Sequence, residues 1–149
     1  MEHGLIAAEN FVNGYNCAQA VVVAFRDLTG LDEKFSAKMA SSFGGGMGRM
    51  REVCGAVSGM LMVAGLLYGY DTADDGANKK AHYALVQELA GSFREKAGHI
   101  VCRELLKNPP SDPNPTPRTK AFYESRPCTR FVLLAAEILD AYIARHPLP

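Results

Sequence analysis

The sequence has no surplus of charge of either sign. Its 149 residues include 16 basic and 16 acidic side chains, so the formal net charge is zero. Proteins that bind nucleic acid or an anionic membrane surface usually carry a basic patch, and no basic patch with interleaved aromatic residues is present. We therefore expect no nucleic acid and no anionic membrane among the partners.

The first residues do not show the pattern of a signal peptide, and no apolar run reaches the length expected of a membrane span. The first residues, MEHGLIAAENF, carry early acids and have neither a basic start nor a long apolar core. The longest apolar run, Val53 to Tyr70, falls slightly short of the roughly 20 residues that a spanning helix needs. We expect a cytoplasmic protein without membrane insertion, in which this run forms a central buried helix.

Apolar residues recur at helical spacing along most of the chain, and no strand pattern is convincing. The pattern predicts helices over residues 4–12, 17–28, 33–43, 50–68, 77–96, 100–106 and 127–145. Residues 108–118 contain five prolines, which indicates an exposed surface loop and not a linker between domains. We predict one all-α domain over residues 1–149, a bundle of six or seven helices around the central apolar helix.

The chain has four cysteines, Cys17, Cys54, Cys102 and Cys128, and no CxxC motif. A single free cysteine usually packs as a small hydrophobic residue. These four, however, all fall in the first turn of a predicted helix, where unpaired N–H groups and the helix dipole favour a thiolate. Thiolates at such positions act as nucleophiles or metal ligands. We therefore predict that the four cysteines form one shared site.

Two kinds of shared site remain open at this point. The first is a thiol/disulfide couple, which needs no cofactor. The second is a four-thiolate metal centre, either zinc or an iron–sulfur cluster. Two further classes compete with a redox protein: a zinc-stabilised structural or binding module without turnover, and a helical interaction protein in which the cysteines only pack.

The cysteine order resembles that of a known family. Cys17, the segment 54–59 with the sequence CGAVSG, Cys102 and Cys128 together resemble the C-GCAxxG-C-C family of putative redox-active proteins. The family label reads Gly-Cys-Ala, whereas in this chain the cysteine precedes the glycine. The resemblance covers nearly the whole chain and implies a redox-active protein of the oxidoreductase type, with the four cysteines as its site. It implies no particular substrate.

Several glycines lie near the second cysteine. The cluster Gly44–Gly48 could offer backbone N–H groups to an anion, assisted by Arg49 or Arg51, but it matches no established phosphate-binding motif. A turn that lets the backbone approach the cysteine site is the favoured interpretation. Gly55 and Gly59, four residues apart, are weaker cofactor-binding candidates whose main role is close helix packing.

The apolar helix rich in glycine could also pack against its own copy, so a homodimer is one expectation. A redox function would require an electron partner, which the sequence does not identify.

Overall fold

The computed structural model describes residues 2–149, which form an all-α bundle. The described residues contain nine α-helices, six of them with eight or more residues, one 3₁₀ turn at Ser41–Phe43, and no strand beyond an isolated antiparallel bridge between Val53 and Val101. The all-α prediction is confirmed. The helices are α1 (His3–Val12), α2 (Cys17–Ala24), α3 (Arg26–Thr29), α4 (Glu33–Ala40), α5 (Gly55–Tyr68), α6 (Gly76–Ala97), α7 (Cys102–Leu105), α8 (Lys120–Ser125) and α9 (Cys128–Arg145).

The apolar helix α5 lies at the centre of the bundle, beside α2. It packs against α2, α6 and α9, while α2 also contacts α1 and α4. The close approach of α2 and α5 depends on Gly59, because a Cβ there would stand 2.8 Å from the carbonyl oxygen of Ala18. None of the described helices is long and apolar enough to cross a membrane.

A buried histidine in the first helix forms hydrogen bonds to two other helices. The His3 ring is 1% exposed and stacks on Phe25, with 4.1 Å between the ring centroids. Its Nδ1 lies 2.6 Å from an Asp140 carboxylate oxygen, and its Nε2 lies 2.9 Å from one of Asp27. The ring therefore links α1 to α3 and α9.

Two helix boundaries differ from the prediction. The second helix ends at Ala24, because Phe25 leaves the helical conformation and the chain resumes as the short α3. The central helix begins at Gly55 and not near residue 50, because residues 51–54 are non-helical, with Arg51 at φ 63°, and pair with residues 100–103.

One short helix was not predicted. The helix α8 follows the proline-rich segment and is capped by Thr119, whose side chain accepts a hydrogen bond from the N–H of Phe122. Its six residues are too few to show a helical period in the sequence.

Candidate active site: a four-cysteine cavity

All four cysteines line a single cavity of about 310 Å³ at one end of the bundle. Cys17, Cys102 and Cys128 are the first residues of α2, α7 and α9, and Cys54 directly precedes α5 as its N-cap. All four are free thiols. The structure thus brings together four residues that are far apart in the sequence, each at or next to a helix start.

Cys17 is held in place by a capping box. The Asn16 side chain accepts a hydrogen bond from the N–H of Gln19, and the Gln19 side chain accepts one from the N–H of Asn16. This reciprocal pair satisfies two unpaired N–H groups at the start of α2. The Cys17 sulfur then rests against the backbone of Gly55, where an added Cβ would stand only 2.3 Å from it.

Cys54 and Cys102 are joined by backbone pairing. The N–H of Cys54 donates to the carbonyl oxygen of Ile100 at 2.7 Å, and the N–H of Cys102 donates to that of Glu52 at 2.6 Å. Both thiols are buried, with 7% and 6% of the residue surface exposed. This short antiparallel contact positions two cysteines 48 residues apart at the same wall of the cavity.

The glycine cluster forms a left-handed turn against the same wall. Residues 45–49 all have φ between 60° and 70°, a region that non-glycine residues rarely adopt. Gly46 is required for close approach, since its Cβ would lie 2.7 Å from the Cβ of Cys102. Met47 and Arg49 take the same conformation with a side chain present, which costs about 1–2 kcal/mol each. Such strain is a frequent property of functional sites.

Arginine is the only charged residue type that lines the cavity in the described part of the chain. Four arginines take part, and none of them forms a salt bridge within residues 2–149. They are Arg49, Arg51, Arg118 and Arg126. A chain with no net charge therefore concentrates four positive charges around its cysteines.

Arg51 is the most buried of these arginines. It is 4% exposed, its Nη1 donates to the Cys102 sulfur at 3.7 Å, and its Nε donates to the carbonyl oxygen of Pro110 at 2.9 Å. Its Nη2 is buried and has no hydrogen-bond partner among the described residues. The guanidinium is thus placed directly beside one of the thiols.

The proline-rich segment covers this side of the cavity. Arg49 donates from Nε to the carbonyl oxygen of Asp112 and from Nη1 to the Thr116 hydroxyl, both at 2.8 Å. Pro113 and Pro115 contribute to the cavity wall. Residues 108–118 therefore form a loop without a helix, as expected, and this loop is also part of the site.

Loss of water around the sulfurs raises the pKa of three of the four thiols. The pKa of Cys17 is raised, that of Cys54 is raised well above its ordinary value, and that of Cys128 is raised to about 12. Backbone N–H groups act in the opposite sense, Gly45 on Cys17 and Ala56 on Cys54, without reversing the shift. The expectation that helix starts would favour thiolates is wrong for these three cysteines, because burial outweighs the helix dipole.

The donor geometry does not fit a single metal ion. Among residues 2–149 no three His, Cys, Asp or Glu side chains converge on a point that could hold one. Tetrahedral zinc with Zn–S bonds of about 2.3 Å requires sulfurs about 3.8 Å apart. Zinc coordination by the four thiols would therefore require the side chains to move.

The family model decides the classification. A model described as "Putative redox-active protein (C_GCAxxG_C_C)" matches residues 15–142. The chain belongs to this family. The C_GCAxxG_C_C match runs from just before Cys17 into α9 and includes all four cysteines, so the resemblance inferred from their order is confirmed. Comparison with curated proteins and with solved structures gave no match.

The two glycine candidates have different positions in this C_GCAxxG_C_C protein. Gly55 lines the cavity next to Cys17, whereas Gly59 lies in the contact between α2 and α5 and does not line it. Of the four cavity arginines, only Arg49 and Arg51 were candidates from the sequence, because they follow the glycine cluster. Arg118 and Arg126 carry no local signal, because only the fold brings them to the cysteines.

Proposed function

We propose that the protein is a redox protein whose four cysteines act as one site by exchange between thiols and a disulfide. The observation that carries this proposal is that four free cysteines from four separate elements line one cavity. Cysteines that only pack are enclosed by apolar side chains, whereas these border an open space of about 310 Å³. The family description, a redox-active protein, supports the same class.

Cys102 is the best candidate for the attacking thiol. Its sulfur accepts a hydrogen bond from Arg51, and a cationic donor stabilises a thiolate. Cys17 is our candidate for the resolving thiol, because it lines the same cavity as Cys102 and a charge on Cys102 raises the pKa of Cys17.

The proposed reaction is a two-step thiol–disulfide exchange. The Cys102 thiolate attacks a disulfide of the substrate, and one substrate sulfur leaves as a thiolate. Cys17 then attacks the Cys102 sulfur and displaces the second substrate thiolate. The protein ends with a Cys17–Cys102 disulfide, the substrate gains two electrons, and the two cysteine protons pass to the two leaving sulfurs.

An iron–sulfur centre is the second candidate, and one observation favours it. The cavity combines four thiols with four arginines and, among the residues described, no carboxylate. A cluster held by four thiolates is an anionic group that this surrounding charge would stabilise. When bound, a cluster would supply one-electron transfer. A zinc-stabilised module has less support, because the described donors do not converge on one ion.

Redox titration with residue-specific thiol mapping tests the proposal. We would purify the protein without oxygen, measure iron and sulfide, equilibrate it with buffers of dithiothreitol at graded potentials, and map free thiols by alkylation and mass spectrometry. The wild-type protein should lose two thiols together, at Cys17 and Cys102. Cys17→Ser should trap a mixed disulfide at Cys102, whereas the control Cys54→Ser should still form the intramolecular disulfide.

Two results would overturn the thiol mechanism. Metal-free protein that keeps four thiols at every potential would contradict any dithiol couple. Stoichiometric iron and sulfide with visible absorption, lost in all four serine variants, would replace it with the cluster.

A further inference from the structure

We propose that the cavity binds a small organic anion, and that Arg51 is the residue that holds its charged group. The ligand class is a molecule with a carboxylate, phosphate or sulfonate head and a short apolar body. The inference rests on the proposed function in one respect, since a disulfide that carries such a head and body would be the substrate of the cysteine site. The binding itself can be tested without any redox step.

The first argument is that Arg51 has no carboxylate partner and keeps one donor unused. Arg51 is 4% exposed, and the hydrogen-bond acceptors of its guanidinium within residues 2–149 are a cysteine sulfur and a carbonyl oxygen, neither of which is a carboxylate. Its Nη2 donor has no partner among these residues. A buried charged donor without a partner is costly, so such groups normally have a counter-charge.

The second argument is the lack of any competing acid. Arg103, just outside the cavity, pairs with Glu52, which shows that exposed arginines near this site do find carboxylates. Among the described residues no carboxylate lines the cavity, and Asp112, which interacts with Arg49, is exposed. The interior is therefore open to an external anion.

The third argument is the apolar part of the wall. Leu105, Leu106 and three phenylalanines line the cavity together with the arginines. An inorganic ion would leave these side chains uncovered, whereas an organic anion would cover them with its hydrocarbon body. Binding sites for small molecules typically combine such apolar walls with a few charged groups.

The geometry also relates this anion to the chemistry. A guanidinium has five donors in a planar fork, and Arg51 lines the cavity while its Nη2 is buried without a partner among the described residues. A small turn of the side chain would present this donor to an oxygen of the ligand, with Nη1 beside the Cys102 sulfur. The ligand's charged head and the proposed attacking thiol would then contact the same guanidinium. Arg51 would position the substrate and would not itself react.

Binding of three simple probes tests the proposal. Hexanoate has both the charged head and the apolar body, 1-hexanol has only the body, and inorganic phosphate has only a head. Isothermal titration of the reduced wild-type protein should show hexanoate binding more tightly than either of the other two. Arg51→Met should weaken hexanoate binding by roughly tenfold or more, because a charge-assisted hydrogen bond is lost.

The controls separate charge, folding and redox function. Arg103→Met removes a nearby charge outside the cavity and should leave hexanoate binding unchanged. If Arg51→Met fails to fold, Arg51→Lys keeps the charge without the fork and should still weaken binding severalfold. Hexanoate contains no disulfide and its binding is measured on the reduced protein, so no redox step is involved and a failure of the redox mechanism would leave this result intact.

Two results would overturn the proposal. One is equal affinity of the wild-type protein for hexanoate and 1-hexanol. The other is hexanoate binding by a folded Arg51 variant that matches the wild type.

Discussion

Alkylation of Cys128 should require an unusually high pH. Loss of water around its sulfur raises its pKa to about 12, against an ordinary value of 9.0. Only the thiolate reacts with iodoacetamide. A shift of three units lowers the thiolate fraction about a thousandfold at any pH below 9. The rate constant at Cys128 should therefore rise tenfold per pH unit up to about pH 11, without levelling off near pH 9.

The assay is alkylation at a series of pH values, with the modified Cys128 peptide quantified by mass spectrometry. The control is the same peptide in a denatured chain, where the rate should level off near the ordinary pKa. Since slow access lowers all rates equally, the midpoint of the pH profile is the decisive quantity. A midpoint for the folded protein at or below that of the denatured chain would refute the conclusion that burial dominates at this site.

The same shift predicts a loss of stability in alkali. Between pH 9 and pH 12 the unfolded chain has lost the Cys128 proton while the folded protein keeps it, so the folded state binds more protons and stability falls as pH rises. A difference of about three between the folded and unfolded pKa values corresponds to a loss of about 4 kcal/mol in the free energy of unfolding once the pH exceeds both. The free energy of unfolding from urea titrations of the reduced protein should decrease over this interval. Cys128→Ser should show a smaller decrease.

Three further predictions concern the fold around the site. Gly55→Ala should destabilise the protein by about 1–3 kcal/mol and displace Cys17. The control is Gly65→Ala on the same helix, where nothing lies within 4 Å of the added Cβ, and it should be neutral or stabilising. Equal melting temperatures of the two variants would contradict the packing argument. His3→Phe keeps the ring stack but removes the imidazole hydrogen bonds to Asp27 and Asp140, so chemical unfolding should show a loss of about 1–3 kcal/mol. An unchanged midpoint would show that these contacts contribute nothing. Asn16→Ala removes the cap of α2 and should cost about 1 kcal/mol in the same measurement, with Asn16→Asp as the control that keeps an acceptor.

The sequence alone determined the helical class and the location of the chemistry along the chain. Helical periodicity, the Asn16 cap and Pro127 are local signals, and each reports the conformation of a few neighbouring residues. That is why the four cysteines could be assigned to first helical turns without a structure. The helix at Cys54 was expected to begin near residue 50 and begins at Gly55, because residues 51–54 are non-helical and pair with residues 100–103.

Only the tertiary structure decided what surrounds the sulfurs. It brought Arg118 and Arg126 to the cavity, set Arg51 beside Cys102 and showed that burial raises three of the thiol pKa values. Charge and water at a site depend on atoms from distant parts of the chain, which no local pattern reports. Local sequence therefore placed the cysteines at helix starts, while long-range packing determined their protonation and the charge of the cavity that they share.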